Sequence, residues 1–119
     1  MEALDFFNTL INKEFNNHFM TLAYITCKDL REARKISNHL LSKKIIACAN
    51  IFPVKSMYLW KGRIANDNET VIIAKTLEKN FRKLESEVKK IHSYKIPCIL
   101  KIKSDANGEY EHWLKKELR

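Results

Sequence analysis

Residues 47–62 read ACANIFPVKSMYLWKG, and the rest of the fold follows from how they are paired. A strand that covers a core on one side alternates apolar and polar residues. Met57, Tyr58, Leu59 and Trp60 instead put large apolar groups on both faces of one strand. Pro53 has no N–H to give to a ladder, so two pieces are expected, 45–52 and 55 to about 64. Asn and Asp tolerate tight backbone conformations, so ANDN (65–68) reads as the turn and ETVIIAKT (69–76) as the returning strand. A long hairpin over 55–76 is the result.

Working outward, MTLAYITC (20–27) is rich in β-branched and aromatic residues and reads as a strand. In KDLREARKISNHLLSKK (28–44) the residues Leu30, Ala33, Ile36, Leu40 and Leu41 recur at helical spacing. Asp29 with Glu32 three residues on has the form of a capping box. A second helix, 78–91, carries Phe81, Leu84, Val88 and Ile91 on one stripe. IPCILKIK (96–103) is a fourth strand, and 107–118 a short last helix that buries Tyr110, Trp113 and Leu114.

The order β-α-β-β-α-β is the α+β, ferredoxin-like arrangement with strand order 4-1-3-2. Right-handed crossovers put both long helices on one face of the antiparallel sheet. Residues 20–119 form this domain, and residues 1–19 an extension. A helix over 3–16, with Leu4, Phe7 and Ile11 on one side, is expected on the outside of the subunit. The second sheet face stays apolar with too little chain to cover it, which points to self-association.

The chain has 119 residues, enough for one domain with a single core. No stretch approaches the ~20 apolar residues of a membrane span, and MEALDFFNTLINKEFNNH has no basic n-region or cleavage site of a signal peptide. Three cysteines without a C-x-x-C pair fit a reducing cytoplasm. The net charge of +8 is spread along solvated helix faces rather than gathered in a patch, so neither a nucleic-acid nor a membrane partner is expected.

Strands one and four are antiparallel neighbours in this topology. The end of strand one therefore lies beside the start of strand four, bringing Cys27 near Cys98, with His92 in the loop that feeds the strand. Two thiolates and an imidazole suit Cu(I) or Zn. Cys48 sits in a buried strand and takes no part. His39 and His112 are expected on exposed helix faces.

ACANIFPVKSMYLWKGRI, an acidic turn, ETVIIAKT, IHSYKIPCIL and YEHWLKKEL together resemble the CutA divalent-cation tolerance family, in the family's order over about residues 20–118. The resemblance implies a homotrimer of ferredoxin-like subunits whose hairpins reach onto their neighbours, with Met57, Tyr58, Leu59 and Trp60 in the interface. It also implies a role in copper or other metal tolerance; a copper site of some members, a Cys after strand one, a His before the Tyr and a Glu at the start of strand four, carries over in part onto the Cys27, His92 and Cys98 set, with copper as Cu(I) or Cu(II) and no metal required for folding. Cys27 matches a family cysteine after strand one, and Cys98 stands where the family has Glu. The family's His lies one position before His92, where Ile91 stands. Ser93 replaces the Pro of the His-Pro-Tyr segment, and Lys95 stands where an acid is common.

Three other functions share the fold. An RNA-recognition module stacks bases on aromatic residues of its third strand, and ETVIIAKT has none. An acylphosphatase needs a Gly-rich phosphate loop after strand one, and TCKDLREA has no Gly; no triad or carboxylate pair stands out, so an enzyme is not expected. A PII-like trimeric small-molecule sensor would bind an anion between subunits, with the net positive charge in its favour.

Overall fold

A computed structural model describes residues 2–6 and 20–119. The elements are β1 (Met20–Cys27), α1 (Leu30–Ser42), β2 (Cys48–Trp60), β3 (Arg63–Leu77), a 3-10 turn (Glu78–Asn80), α2 (Phe81–Ile91), β4 (Ile99–Ser104) and α3 (Gly108–Glu117). The sheet order is β2-β3-β1-β4, and each neighbouring pair is antiparallel. The fold is therefore the expected α+β arrangement. The helix anticipated over 3–16 lies largely outside the described residues; positions 3–6 are helical.

Period-2 alternation in β1 sends Ala23, Ile25 and Cys27 to one side, where they pack with Ile72 and Ala74 of β3. The stripe Ala33, Ile36 and Leu40 of α1 and the stripe Phe81, Leu84 and Val88 of α2 close over them. Asp29 caps α1, accepting from the Glu32 N–H at 2.8 Å. Between the two helices, Glu87 gathers Lys43 (2.5 Å), Lys90 (2.6 Å) and His39 (3.2 Å). His39 is thus half-buried in a polar contact rather than simply exposed.

The hairpin differs from expectation in three ways. Ile45 and Ile46 are buried but precede the strand, because Lys44 turns left-handed (φ 55°) and Ile45 N–H closes back onto the Leu40 carbonyl. Pro53 does not split the strand, since β2 is the sheet edge and one of its sides needs no ladder donors. The turn is Lys61-Gly62 rather than ANDN, both with positive φ (51° and 77°), which is the two-residue geometry whose twist matches the flanking strands. Residues 65–68 then lie inside β3, opposite Tyr58, Met57, Ser56 and Lys55. The Tyr58 hydroxyl donates to Asp67 across this ribbon.

α3 covers part of the second sheet face. Leu114 and Leu118 pack with Met20 and Leu77, with Leu22 and Tyr110 at the margin. Trp113 is exposed, and His112, expected outside, is buried. The Phe6 ring stands edge-on to it at 6.4 Å. The covering stops well short of the hairpin. β1 pairs with β3 only as far as Cys27–Thr70, whereas β2 and β3 continue to Trp60–Arg63. At ~3.3 Å per residue, the arm from Val54 to the turn projects roughly 23 Å beyond the four-stranded sheet, within a molecule 54 Å long. On it Met57, Leu59 and Trp60 are 71, 76 and 61% exposed.

Candidate metal centre

Cys27 is the last residue of β1, paired with Thr70 on one side and facing the helices. Burial, reinforced by the charges of Glu32, Asp29 and Glu69, pushes its thiol up to about 12. At neutral pH it holds its proton, so only an ion with strong affinity for sulfur can displace that proton and take the site.

Three residues further on, α1 begins. Its first-turn Glu32 points back across the loop. One carboxylate oxygen accepts the Lys28 N–H at 3.0 Å, and the other accepts the Ser93 N–H at 2.9 Å. Burial alone would raise this carboxyl, but the hydrogen bonds from Ser93 and Lys28 outweigh it and hold the pKa below the usual value. The capping-box reading holds for Asp29, whereas the Glu32 carboxylate serves a partner 61 positions away.

His92 ends α2. Its Nδ1 accepts from the Tyr94 N–H at 3.0 Å. A backbone N–H can only donate, so the ring hydrogen resides on Nε2, which donates to the Thr26 carbonyl at 2.8 Å. The ring is therefore a neutral imidazole of one tautomer. Tyr94 leans on it at 5.0 Å and donates its hydroxyl to Glu69 at 2.6 Å. Burial, then this hydrogen bond, raises the Tyr94 pKa.

Ligand atoms of Cys27, Glu32 and His92 all lie within 4.8 Å of one another. Cys27 and His92 thus meet as the topology suggested. Cys98 does not join them. Ile25 pairs with Ile99, so Cys98 stands opposite Thr26, whose N–H reaches its carbonyl at 3.4 Å. Paired residues share a face and successive ones alternate, so the Cys98 thiol lies on the sheet face away from Cys27, exposed. Cys48, expected to be buried, is half-exposed on the edge strand.

The model of the CutA1 divalent ion tolerance protein family matches residues 21–117. The chain belongs to that family. It is 42% identical over 92 residues to the divalent-cation tolerance protein CutA of Archaeoglobus fulgidus, covering 76% of this chain and 90% of the relative. The Thermotoga maritima CutA is 38% identical over 100 residues, covering 83% and 99%. Among solved structures, the periplasmic divalent cation tolerance protein CutA of A. fulgidus superposes with TM-score 0.79 at 38% identity, covering 84% of this chain and 99% of that one. CutA1 of Ehrlichia chaffeensis gives 0.81 at 34%, covering 87% and 99%. The match supports neither the RNA-binding nor the PII-like alternative. No helix among the described residues is long and apolar enough to cross a membrane.

Proposed function

We propose that this member of the CutA1 family is a homotrimeric metal-tolerance protein that takes up a thiophilic ion, copper among them, at the pocket of Cys27 and His92. The observation that carries the reading is the convergence of sulfur, imidazole and carboxylate donors within 4.8 Å. These donor types suit Cu and Zn rather than Mg or Ca, which take oxygen cages. One bond must open for an ion to enter, that of the Tyr94 N–H to His92 Nδ1, while Nε2–H of His92 already donates to a backbone carbonyl, as metal-bound imidazoles do through their other nitrogen.

The unsupported arm points to self-association, and the number three comes from the resemblance to the CutA family. An isolated two-stranded ribbon is marginal in water, and Met57, Tyr58, Leu59 and Trp60 present exposed apolar groups on both of its faces. The reading is of a binding protein rather than an enzyme, since no Ser–His–Asp triad or carboxylate pair stands out in the sequence. Three unpaired thiols suit a reducing cytoplasm, and the protein works without nucleic acid or membrane.

Native mass spectrometry with and without Cu(I), Cu(II) and Zn reads subunit number and metal stoichiometry together. A trimer that gains metal is expected, with Cys27→Ser losing uptake and Cys48→Ser keeping it. A monomer at micromolar concentration overturns the assembly, and uptake by Cys27→Ser equal to the parent's overturns the site.

A further inference from the structure

We propose that Glu32 supplies the third donor of this centre in place of Cys98, and that the resulting one-sulfur set selects a divalent ion, Zn(II) or Cu(II), over Cu(I). The inference rests on the reading of Cys27 and His92 as a metal pocket. Three observations carry it. Glu32 lies with Cys27 and His92 inside 4.8 Å, whereas strand register puts the Cys98 thiol on the opposite sheet face. Each Glu32 oxygen accepts one backbone N–H, from Lys28 and from Ser93, and the Ser93 side chain adds a third hydrogen bond, which fixes the carboxylate's orientation and leaves one of its four lone pairs for an ion. The two N–H groups then act as the outer partners that hold a ligating carboxylate in place.

Charge decides the valence. A metal-bound Cys27 thiolate and the Glu32 carboxylate carry two negative charges, and His92 is neutral. With the Cys27 proton in place the empty site already carries the Glu32 charge; a monovalent ion that replaces this proton leaves that charge as it was, whereas a divalent ion cancels it and gains the added attraction to the carboxylate. Cu(I) also prefers softer donors than a single sulfur with a carboxylate. At His92, Nε2–H stays on the Thr26 carbonyl and Nδ1 turns from the Tyr94 N–H to the ion. Binding by this route frees the Tyr94 amide.

Cobalt(II) absorption on the full-length protein is the probe, because a cysteine thiolate gives an intense charge-transfer band. Glu32→Gln should weaken Co(II) and Zn(II) binding by at least the ~10–100-fold that outer partners of a metal site cost. Cys98→Ser should bind as the parent does. Hydrogen exchange at the Tyr94 amide should speed up when Zn(II) is added to the parent. X-ray absorption at the zinc edge of the loaded parent, which needs no variant, should count one sulfur with nitrogen and oxygen neighbours. Two sulfurs, a loss of binding in Cys98→Ser, parent-like binding in Glu32→Gln, or tighter binding of Cu(I) than of Zn(II) by the parent would each overturn the inference. Absence of the charge-transfer band in the parent itself would instead strike the underlying pocket.

Discussion

Replacing Trp60 by Asp tests whether the hairpin arm is an assembly surface. A Trp side chain can bury about 150–250 Å². With 61% of it exposed on the single chain, roughly 90–150 Å² remains for a neighbour to cover. At about 25 cal/mol per Å² this contributes about 2–4 kcal/mol per subunit. Over three copies the lower end alone is roughly 7 kcal/mol, or about five orders of magnitude in the dissociation equilibrium at 1.4 kcal/mol per tenfold. An unpaired carboxylate at the same place adds a further penalty of about 3–5 kcal/mol. The subunit itself should be untouched, because Trp60 lies at the tip of the arm and outside both hydrophobic clusters. Sedimentation velocity at micromolar concentration, with circular dichroism as the check on folding, reads the outcome. The parent should sediment as a trimer and Trp60→Asp as a folded monomer. A variant that sediments with the parent would refute the assignment of this surface.

Glu87 is held down to about 2 by Lys43, then Lys90, with His39 beside them, so its contribution to stability is complete above the ordinary carboxylate value near 4.5 and is lost as pH falls toward 2. Thermal unfolding across that window should show a steep acid limb in the parent and a shallower one in Glu87→Gln, which should also start lower at neutral pH. Gly62 sits at φ 77° with nothing within 4 Å of an added Cβ. Gly62→Val should therefore lower stability through backbone strain alone, by about 1–2 kcal/mol, measurable by urea unfolding. Deleting residues 1–19 should leave the trimer intact by native mass spectrometry, because the family model begins at residue 21; dissociation on deletion would show that the extension belongs to the assembly.

Local pattern was enough for the element order. The stripes of α1 and α2, the β-branched run of β1 and the Asp29 cap each depend on neighbours a few positions away, and each appears in the structure where the periodicity put it. The turn was misread because ANDN carries more turn-forming residues than KG, yet only the latter closes a two-residue connection in register with Trp60 and Arg63. That register is a property of the paired strands, not of either segment. The same holds at the metal centre. Topology alone could bring Cys27 and His92 to one end of β1, since strand adjacency follows from chain order. Which thiol faces the imidazole depends on pleat parity, and a shift of one residue between β1 and β4 sends Cys98 to the other side. Glu32 was legible as a cap but not as a clip, because its second partner, Ser93, is distant in sequence and close only after α2 has packed on α1. His112 was placed outside because a short helix with a weak stripe does not reveal its buried side. Contact with β3 and with Phe6 from the other end of the chain decides that side. Short-range spacing thus determined what forms, and long-range register determined which side chains meet, because a side chain's face is set by a partner that the local sequence does not contain.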